Sequence, residues 1–396
     1  MNDKLQAVIL AAGIGERCWP LTLTTPKPML KIANKPILWH KLEQFAKLVD
    51  EVIIVVGRDG KIIADYFGKS YKNLKLIYVE QKDLPGTWGA LYCAKELVKE
   101  KFIVAYGDDF YSIKDIKKCL KHNKSILTKK VTDTSGKGVI LTDGALVKKI
   151  IEKPKEQLSH LVNTGNYVLD KSVFKIRPKT SERNEYEITT LLDELANKSE
   201  LFCEIASENY FSVTYPWDLL NANELILKQL KISTKCHAEK GVTIKGFVKI
   251  GKNTVLKAGT YIEGPAVVGD NCELGPNCHI RPYTSIGNNC KIGNFVEIKN
   301  SIIGDGTKIP HFAYIGDSII GNNVNIGVNT YITNLRVDGT NVQSAVNGRL
   351  IDTKRRKFGT VICDNAQTCG STTIWPGRKI WPGKIAGPGL IKEDVI

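Results

Sequence analysis

Apolar residues recur every six positions along the second half of the chain. The marker positions hold Ile, Leu or Val, and they run without a break from Ile244 to Ile298. After a one-residue shift the spacing returns at Ile303, and after a second shift it returns at Ile320. A period of six fits neither a helix, with about 3.6 residues per turn, nor a strand, with a period of two, so it predicts a repeat architecture.

A small or slim residue follows each marker by four positions, as at Thr254, Cys272 and Cys290. Gly often follows the marker directly, as at Gly251 and Gly269, and glycine tolerates the backbone angles of tight corners. One large and one small side chain per repeat describe a narrow prism with three faces of short parallel strands. The pattern resembles the hexapeptide-repeat proteins, which implies a left-handed parallel β-helix.

The first part of the chain shows a different pattern, in which short apolar runs alternate with amphipathic stretches. Residues 7–10, 52–56 and 102–106 predict buried strands, and residues 38–47 predict a helix. Buried strands that alternate with helices are typical of an α/β fold around a mainly parallel sheet. We therefore expect a Rossmann-like α/β domain ahead of the β-helix.

The two patterns place the domain boundary between residues 231 and 232. Residues 1–231 form the predicted α/β domain, and residues 232–396 form the predicted β-helix. The six-residue spacing disappears between residues 333 and 360, so this segment is expected to form an inserted loop. Long loops inserted into repeat proteins are usually functional or form interfaces.

Composition and charge exclude several classes of protein. With 396 residues, 42% of them apolar, the chain can bury two cores and is not wholly disordered. It contains no apolar run of about 18 residues and no signal-peptide pattern, so we expect a cytoplasmic protein without membrane partners. The ten cysteines include no CxxC pair that would suit zinc. The net charge of +15 is spread along the chain, which favours phosphate-rich small substrates over nucleic acid.

Small residues directly after the first predicted strand form a candidate phosphate-binding loop, followed by two basic residues. The residues concerned are Leu10, Ala11, Ala12, Gly13, Arg17 and Lys27. Small side chains let backbone N–H groups approach a phosphate, and the basic side chains supply countercharge. The dinucleotide fingerprint GxGxxG is absent, so this loop is not a Rossmann dinucleotide site.

The first domain resembles the sugar-nucleotide pyrophosphorylases, whose signature is a small-residue loop, an arginine and then Pro-Lys-Pro. The resemblance implies that the loop and a second segment bind the nucleotide. The second segment consists of Gln81, Gly86 and Thr87. The amide of Gln81 can pair with a pyrimidine. Uracil and thymine differ by one methyl group, so UTP and dTTP both stay open.

The same resemblance implies the sugar site and the metal site. The sugar phosphate is expected to bind to Gly138, Glu152, Lys153 and Asn163. Mg²⁺ is expected on the carboxylates of Asp108 and Asp218. An oxygen of a hexose 1-phosphate would attack the α-phosphorus of the triphosphate in line, and pyrophosphate would leave. Positioning and charge neutralisation supply most of the catalysis in such a reaction.

His311 lies in a repeat segment, residues 309–318, that resembles the acetyltransferase half of bifunctional enzymes of UDP-N-acetylglucosamine synthesis. In that family the matching histidine is the general base that takes a proton from the sugar amine during attack on acetyl-CoA. An imidazole can accept a proton near neutral pH. Tyr314 and Asn334 match family positions that bind the sugar and support the reaction.

Three interpretations follow, and the first is preferred. In it, the β-helix acetylates an amino-sugar 1-phosphate, such as glucosamine 1-phosphate, and the α/β domain performs nucleotidyl transfer. Thr340 and Gln343 stand where related enzymes carry lysines, which keeps open a single-function nucleotidyltransferase whose β-helix only assembles subunits. A scaffold with two dead sites is disfavoured, because the basic and acidic site residues are intact.

The resemblance also implies a homotrimer in which acetyl-CoA binds between adjacent prisms. The basic run at residues 354–357 could meet the phosphates of coenzyme A or form a solvated loop face.

Overall fold

The computed structural model of the chain describes residues 5–82, 85–134, 136–152, 154–177, 179–181, 184–207, 210–231 and 237–396. The chain folds into two compact units, one with residues 1–14 and 37–212 and the other with residues 15–36 and 213–396. Two segments that the sequence assigns to the first domain therefore group with the repeat region. The boundary at 231/232 stays a prediction, since residues 232–236 lie outside the described part.

A ten-stranded sheet forms the centre of the first unit. Across the sheet its strands are Gly138–Asp143, Leu146–Glu152, Phe202–Ile205, Ser125–Lys130, Leu161–Asp170, Lys101–Tyr106, Gln6–Ala11, Glu51–Val56, Leu74–Glu80 and Ser70–Tyr71. The four strands from Lys101–Tyr106 to Leu74–Glu80 run parallel. Ala7, Val8 and Ile9 are all fully buried. Since successive side chains point to opposite faces, both faces of the central strand are covered.

Helices and a short ribbon complete the first unit. The helices are Ile37–Phe45, Gly60–Phe67, Thr87–Tyr92, Ile113–Cys119 and Ile188–Asn197, with a 3-10 turn at Lys171–Lys175. Asp109–Phe110 pairs with Phe211–Ser212 as an antiparallel ribbon. Within the described residues, no helix of either unit combines the length and the hydropathy needed to cross a bilayer.

The repeat region forms a parallel β-helix in the second unit. Ile244 pairs with Ile262, which pairs with Ile280, so one coil takes eighteen residues, or three hexapeptides. This confirms the repeat expected from the sequence. The coil shortens by one residue where Ile298 pairs with Ile315, which accounts for the shift in the six-residue spacing.

Three columns of strands make up the faces of the β-helix. The first holds Thr243–Lys245, Tyr261–Glu263, His279–Ile280, the second halves of Lys291–Lys299 and Lys308–Gly316, Tyr331–Ile332, Thr372–Ile374 and Gly389–Ile391. The second holds Val248–Ile250, Ala266–Val268, Ser285–Ile286, Ile302–Ile303, Ile319–Ile320, Val361–Ile362 and Lys379–Ile380. The third holds His237–Ala238, Val255–Leu256, Glu273–Leu274, the first halves of Lys291–Lys299 and Lys308–Gly316, Gln367–Thr368 and Ile385–Ala386. Large markers and small residues, Cys272 and Cys278 among them, fill the interior between these faces.

Residues 333–360 leave the coils, and the chain then resumes the stack. Ile320 pairs with Ile362, and Ile332 pairs with Ile374, so the faces continue across the insertion. Within it, Gln343–Val346 and Arg349–Asp352 form an antiparallel hairpin. The rest of the second unit comprises helix Asp218–Lys228, the short strands Lys31–Ile32 and Lys35–Pro36, and the 3-10 turns Glu16–Cys18, Leu21–Leu23 and Lys27–Met29.

Candidate active sites

The predicted phosphate loop follows the central strand of the first unit. Leu10 and Ala11 are buried, Ala12 is half-buried, and Gly13 is exposed in open space. The N–H of Gly107, after the neighbouring strand, donates to the carbonyl of Leu10 at 2.9 Å. A Cβ on Gly57 would lie 2.6 Å from the carbonyl oxygen of Ala12, so this mouth of the sheet requires small residues. Such a mouth lets backbone groups approach a bound phosphate.

The base-reading residues lie together at the start of helix Thr87–Tyr92. The side-chain amide of Gln81 donates to the carbonyl of Gly86 at 2.9 Å. Gly86 has φ +98°, and a Cβ there would lie 2.6 Å from the carbonyl oxygen of Tyr186. The hydroxyl of Thr87 accepts the backbone N–H of Ile188 at 2.8 Å. The three predicted residues are therefore held by one another and by the chain near residue 187.

The predicted sugar residues converge on paired strands of the same unit. Gly138 pairs with Glu152, and a Cβ on Gly138 would lie 2.9 Å from Glu152 Oε2 and 3.6 Å from Asn163 Cβ. The amide of Asn163 donates to the hydroxyl of Tyr167 at 2.8 Å, and its oxygen accepts the N–H of Gly165 at 2.9 Å. Lys153 lies outside the described residues. The glycine thus leaves space between a fixed amide and a carboxylate.

Asp108 is half-buried just beyond the strand Lys101–Tyr106, beside buried Asp109. Both carboxylates act on Lys41, whose ammonium is buried and donates to the hydroxyl of Tyr111 at 3.1 Å. Burial lowers the pKa of Lys41 to about 8, and the two negative charges oppose that shift. Two carboxylates at the end of this strand therefore act on the buried ammonium of Lys41.

Arg17, Lys27 and Asp218 belong to the second unit. Arg17 is exposed, and Lys27 is half-buried. Asp218 begins helix Asp218–Lys228, and its Oδ2 accepts the N–H groups of Thr214 at 2.8 Å and Tyr215 at 2.7 Å. Burial raises the pKa of Asp218, and the positive charge of Lys27 works in the opposite direction. The structure therefore brings Lys27 near Asp218.

The donor set suits Mg²⁺, a hard cation that proteins usually bind through one or two carboxylates together with substrate phosphates. Asp108 offers carboxylate oxygens in the first unit and Asp218 offers them in the second. Across the described residues, no three His, Cys, Asp or Glu side chains gather as a closed metal site. Each of these carboxylates is an oxygen donor of the kind that Mg²⁺ prefers.

Two of the three predicted acetyltransferase residues meet in the β-helix. The amide of Asn334 donates to the hydroxyl of Tyr314 at 3.3 Å, across twenty residues of chain. Burial raises the pKa of Tyr314, so its hydroxyl stays protonated near neutral pH. His311 lies exposed on the same strand as Tyr314 and pairs in register with Asn294 of the preceding coil.

Asp317 was missed by sequence reasoning. It is buried, and its Oδ2 accepts the amide of Asn334 at 2.6 Å. Lys299 donates to the same oxygen at 3.3 Å, and Arg355 lies 3.7 Å from Oδ1. An aspartate at a corner of the repeat looks like an ordinary turn residue, so no signal in the sequence distinguished it.

Arg355 behaves differently from the rest of the basic run 354–357. Its side chain is only 15% exposed, and it donates to the side-chain oxygen of Asn221 in helix Asp218–Lys228. Lys354, Arg356 and Lys357 are exposed. The exposure of the other three residues fits a solvated loop face and a contact with coenzyme A equally, whereas Arg355 serves as an internal countercharge to Asp317.

Comparisons with known proteins identify the family. The nucleotidyl transferase family model matches residues 6–229, and the GMPPB C-terminal domain model matches residues 262–353. The bifunctional protein GlmU of Methanocaldococcus jannaschii is 39% identical over 95% of this chain and 91% of its own length. This chain belongs to the GlmU-type bifunctional family. Its members include a bifunctional sugar-1-phosphate nucleotidylyltransferase/acetyltransferase of Sulfurisphaera tokodaii, 37% identical over 95% of this chain and 94% of its own length.

Solved structures agree for the first part of the chain. A UDP-glucose pyrophosphorylase complexed with UDP-glucose is 26% identical and covers 57% of this chain and 99% of its own, with a TM-score of 0.52. The GlmU-type chain described here is thus an enzyme that transfers nucleotidyl groups to sugar 1-phosphates.

Proposed function

We propose that this GlmU-type enzyme catalyses two reactions: acetylation of glucosamine 1-phosphate by acetyl-CoA, and transfer of a nucleotidyl group from UTP or dTTP to the sugar 1-phosphate. The observation that carries the acetyl transfer is the contact of Asn334 with Tyr314 and Asp317, next to the strand that bears His311. A β-helix that only assembled subunits would have no need for a half-buried amide fixed by a buried, charge-balanced carboxylate at this corner.

In the nucleotidyl transfer, a phosphate oxygen of the sugar 1-phosphate attacks the α-phosphorus of the triphosphate. A P–O bond forms there, the α–β bridging bond breaks, and pyrophosphate leaves. The backbone of residues 10–13 receives the phosphates, Gln81 pairs with the base, and Gly138, Glu152 and Asn163 hold the sugar. Arg17 and Lys27 neutralise charge on the transferred group. Mg²⁺, held by Asp108 and Asp218, would supply further neutralisation of the phosphates.

In the acetyl transfer, the sugar amine attacks the thioester carbonyl of acetyl-CoA. A C–N bond forms, the C–S bond breaks, and the coenzyme A thiolate leaves and takes up a proton. The exposed imidazole of His311 receives the proton from the amine. Asn334, fixed by Asp317, and Tyr314 supply hydrogen bonds to the sugar. Three copies of the chain assemble, and acetyl-CoA binds between neighbouring β-helices.

One finding favours the alternative of a single-function nucleotidyltransferase. The match to the GMPPB C-terminal domain covers residues 262–353, which include His311, Tyr314 and Asn334. In this alternative the β-helix serves assembly alone. The two interpretations differ in whether the full chain releases coenzyme A.

The deciding experiment supplies the full chain with acetyl-CoA and glucosamine 1-phosphate and follows free thiol. In a second assay, pyrophosphate is followed with Mg²⁺, UTP or dTTP and N-acetylglucosamine 1-phosphate. His311→Ala is expected to lower thiol release about 100-fold, the usual scale for a lost general base, while pyrophosphate release stays unchanged.

His279→Ala is the matched control, because His279 stands in register with Tyr314 two coils earlier and pairs with Glu263. Unchanged thiol release in His311→Ala would remove His311 as the base. Absence of thiol release in the unsubstituted chain, with pyrophosphate still formed, would establish the single-function alternative.

A further inference from the structure

The two basic residues of the nucleotidyl-transfer signature lie on a short segment of the second unit. We name residues 15–36 the strap; it carries Arg17 and Lys27. Its regular structure is limited to three 3-10 turns and two two-residue strands. Elements this short do not fix a conformation by themselves, because ordering each residue costs about 1–2 kcal/mol. The position of the strap must therefore come from what it contacts.

One corner of the β-helix presents a column of Asp and Asn side chains. In five successive coils the Oδ1 atom accepts a backbone N–H of the preceding coil at 2.7–2.9 Å. We call this set the Asx column, and it comprises Asp270, Asn288, Asp305, Asn322 and Asp364. Asparagine and aspartate both occur, because this bond needs only the shared Oδ1 acceptor.

Two aspartates of the Asx column reach the strap with their second oxygen. Asp305 Oδ2 forms an ion pair with the ammonium of Lys31. Asp364 Oδ2 accepts a hydrogen bond of 2.8 Å from the hydroxyl of Thr24. Thr24 lies three residues before Lys27 and Lys31 lies four residues after it, so the two contacts flank the basic side chain.

Further bonds hold both ends of the strap. The ammonium of Lys379, a buried lysine of the β-helix, donates to the carbonyl of Trp19 at 3.1 Å. The backbone N–H of Ala33 donates to Asn223 Oδ1 at 2.8 Å. The strap is therefore tied on both sides of Lys27, and the Asx column supplies two of these ties.

We propose that Asp305 and Asp364 are positioning residues for nucleotidyl transfer. They touch no substrate; they hold the strap, and through it the charged groups of Lys27 and Arg17. The proposal rests on the charge-neutralising role given to those two residues above. A half-exposed ion pair adds little to stability, yet a displacement of about 1 Å in a charged group can cost about 100-fold in rate. The β-helix would thus serve nucleotidyl transfer as well as the acetyl transfer proposed for it.

Asp305→Asn tests this in the full chain, because it removes the charge facing Lys31 and keeps the Oδ1 acceptor of the column. With Mg²⁺, UTP or dTTP and N-acetylglucosamine 1-phosphate, kcat for pyrophosphate release is expected to fall about fivefold. The KM for the sugar phosphate should not change, since the residues proposed to hold the sugar lie in the first unit. Hydrogen exchange of residues 15–36 should accelerate, while the unfolding midpoint stays the same.

Asp270→Asn is the matched control, because it makes the same exchange in the same column, in an earlier coil. If Asp305→Asn equals Asp270→Asn in kcat and in hydrogen exchange, the proposal is wrong. A fall in kcat of the same size in both variants would indicate general damage to the Asx column and would also refute the proposal. Thiol release from acetyl-CoA should be unchanged in both variants.

A double-mutant cycle locates the effect in the ion pair. Lys31→Met should reproduce the fall in kcat, and Lys31→Met with Asp305→Asn should add nothing further, because the pair acts as a unit. Additive losses would contradict a role through Lys31.

Lys27→Ala tests the role of Lys27 separately from the positioning role of Asp305 and Asp364. Full kcat in Lys27→Ala would overturn the role given to Lys27, and the positioning proposal with it. A large loss in Lys27→Ala beside an unchanged Asp305→Asn would overturn the positioning proposal alone.

Discussion

Gly165 packs against Tyr106 and Asp109 so closely that there is no room for a side chain. Its φ is +75°, and a Cβ there would lie 2.4 Å from the ring of Tyr106 and 2.8 Å from Asp109 Oδ2. Gly165→Ala is therefore expected to cost about 3 kcal/mol of unfolding free energy, from backbone strain plus the clash. Urea denaturation measures the difference.

Gly144→Ala is the control for backbone strain alone. Gly144 has φ +57°, but a Cβ there would have no neighbour within 4 Å. This substitution is expected to cost about 1 kcal/mol. Equal costs at the two positions would show that the clash with Tyr106 and Asp109 contributes nothing.

Asp317 compensates two cations at the corner that holds Asn334. Asp317→Asn would leave Lys299 and Arg355 without this negative charge in a buried place. We expect a loss of about 3 kcal/mol in unfolding free energy, measured in urea, and slower thiol release as Asn334 loses its fixed partner. Asp338→Asn, which removes an exposed partner of Arg336, should leave both quantities unchanged. Similar behaviour of the two variants would contradict the account of Asp317.

Residues with a motif could be found from the sequence, and residues without one could not. Gly138, Glu152 and Asn163 were named by a family pattern, and the structure brings them together. Asp317 has φ +50°, a conformation that Asp shares with many turn residues, so its burial depends on coils that are distant in sequence. Lys153 stays a prediction.

At the scale of elements, the coils of the β-helix carry the stability of the second unit. Ile298 is fully buried between Ile280 and Ile315 of the neighbouring coils. Ile298→Ala should cost about 3–4 kcal/mol, because the stack cannot collapse around the cavity. Thermal unfolding of the full chain tests this.

Ile244→Ala is the matched control, at the same repeat position in the first coils, where Ile244 is 38% exposed. We expect it to cost about 1 kcal/mol or less. If both variants lose the same unfolding free energy, the interior coils contribute no more to stability than the end of the stack, which would contradict this account.

The sequence predicts the coils and does not predict where the strap lies. A six-residue period repeats in every coil, so each repeat reinforces the others. The strap instead depends on Thr24, Lys31 and Ala33, three ordinary residues whose partners lie far along the chain. No periodicity marks such contacts, and for that reason the sequence pattern places the strap in the first domain.

At the scale of the whole molecule, one corner of the β-helix exposes an aromatic pair. The rings of Phe295 and Phe312 lie 5.2 Å apart, and both residues adopt positive φ and are about half exposed. Bulky residues in this conformation on an open surface are uncommon, which supports the proposed assembly of three chains.

Phe312→Asp should shift the sedimentation coefficient at micromolar concentration from that of a trimer to that of a smaller species, because it places a charge in the contact. Phe247→Asp, at an exposed phenylalanine in an early coil, should leave the trimer intact. A monomer in the unsubstituted chain would contradict the proposed assembly, as would an intact trimer in Phe312→Asp.

Residues 333–360 occupy a corner that the neighbouring coils turn with three or four residues, residues 316–318 in the coil before and residues 375–378 in the coil after. The insertion begins and ends within one coil of the β-helix, so the coils on either side need not shift to accommodate it. A loop that carries functional residues can therefore be added to a β-helix, or removed from it, by a change at a single corner.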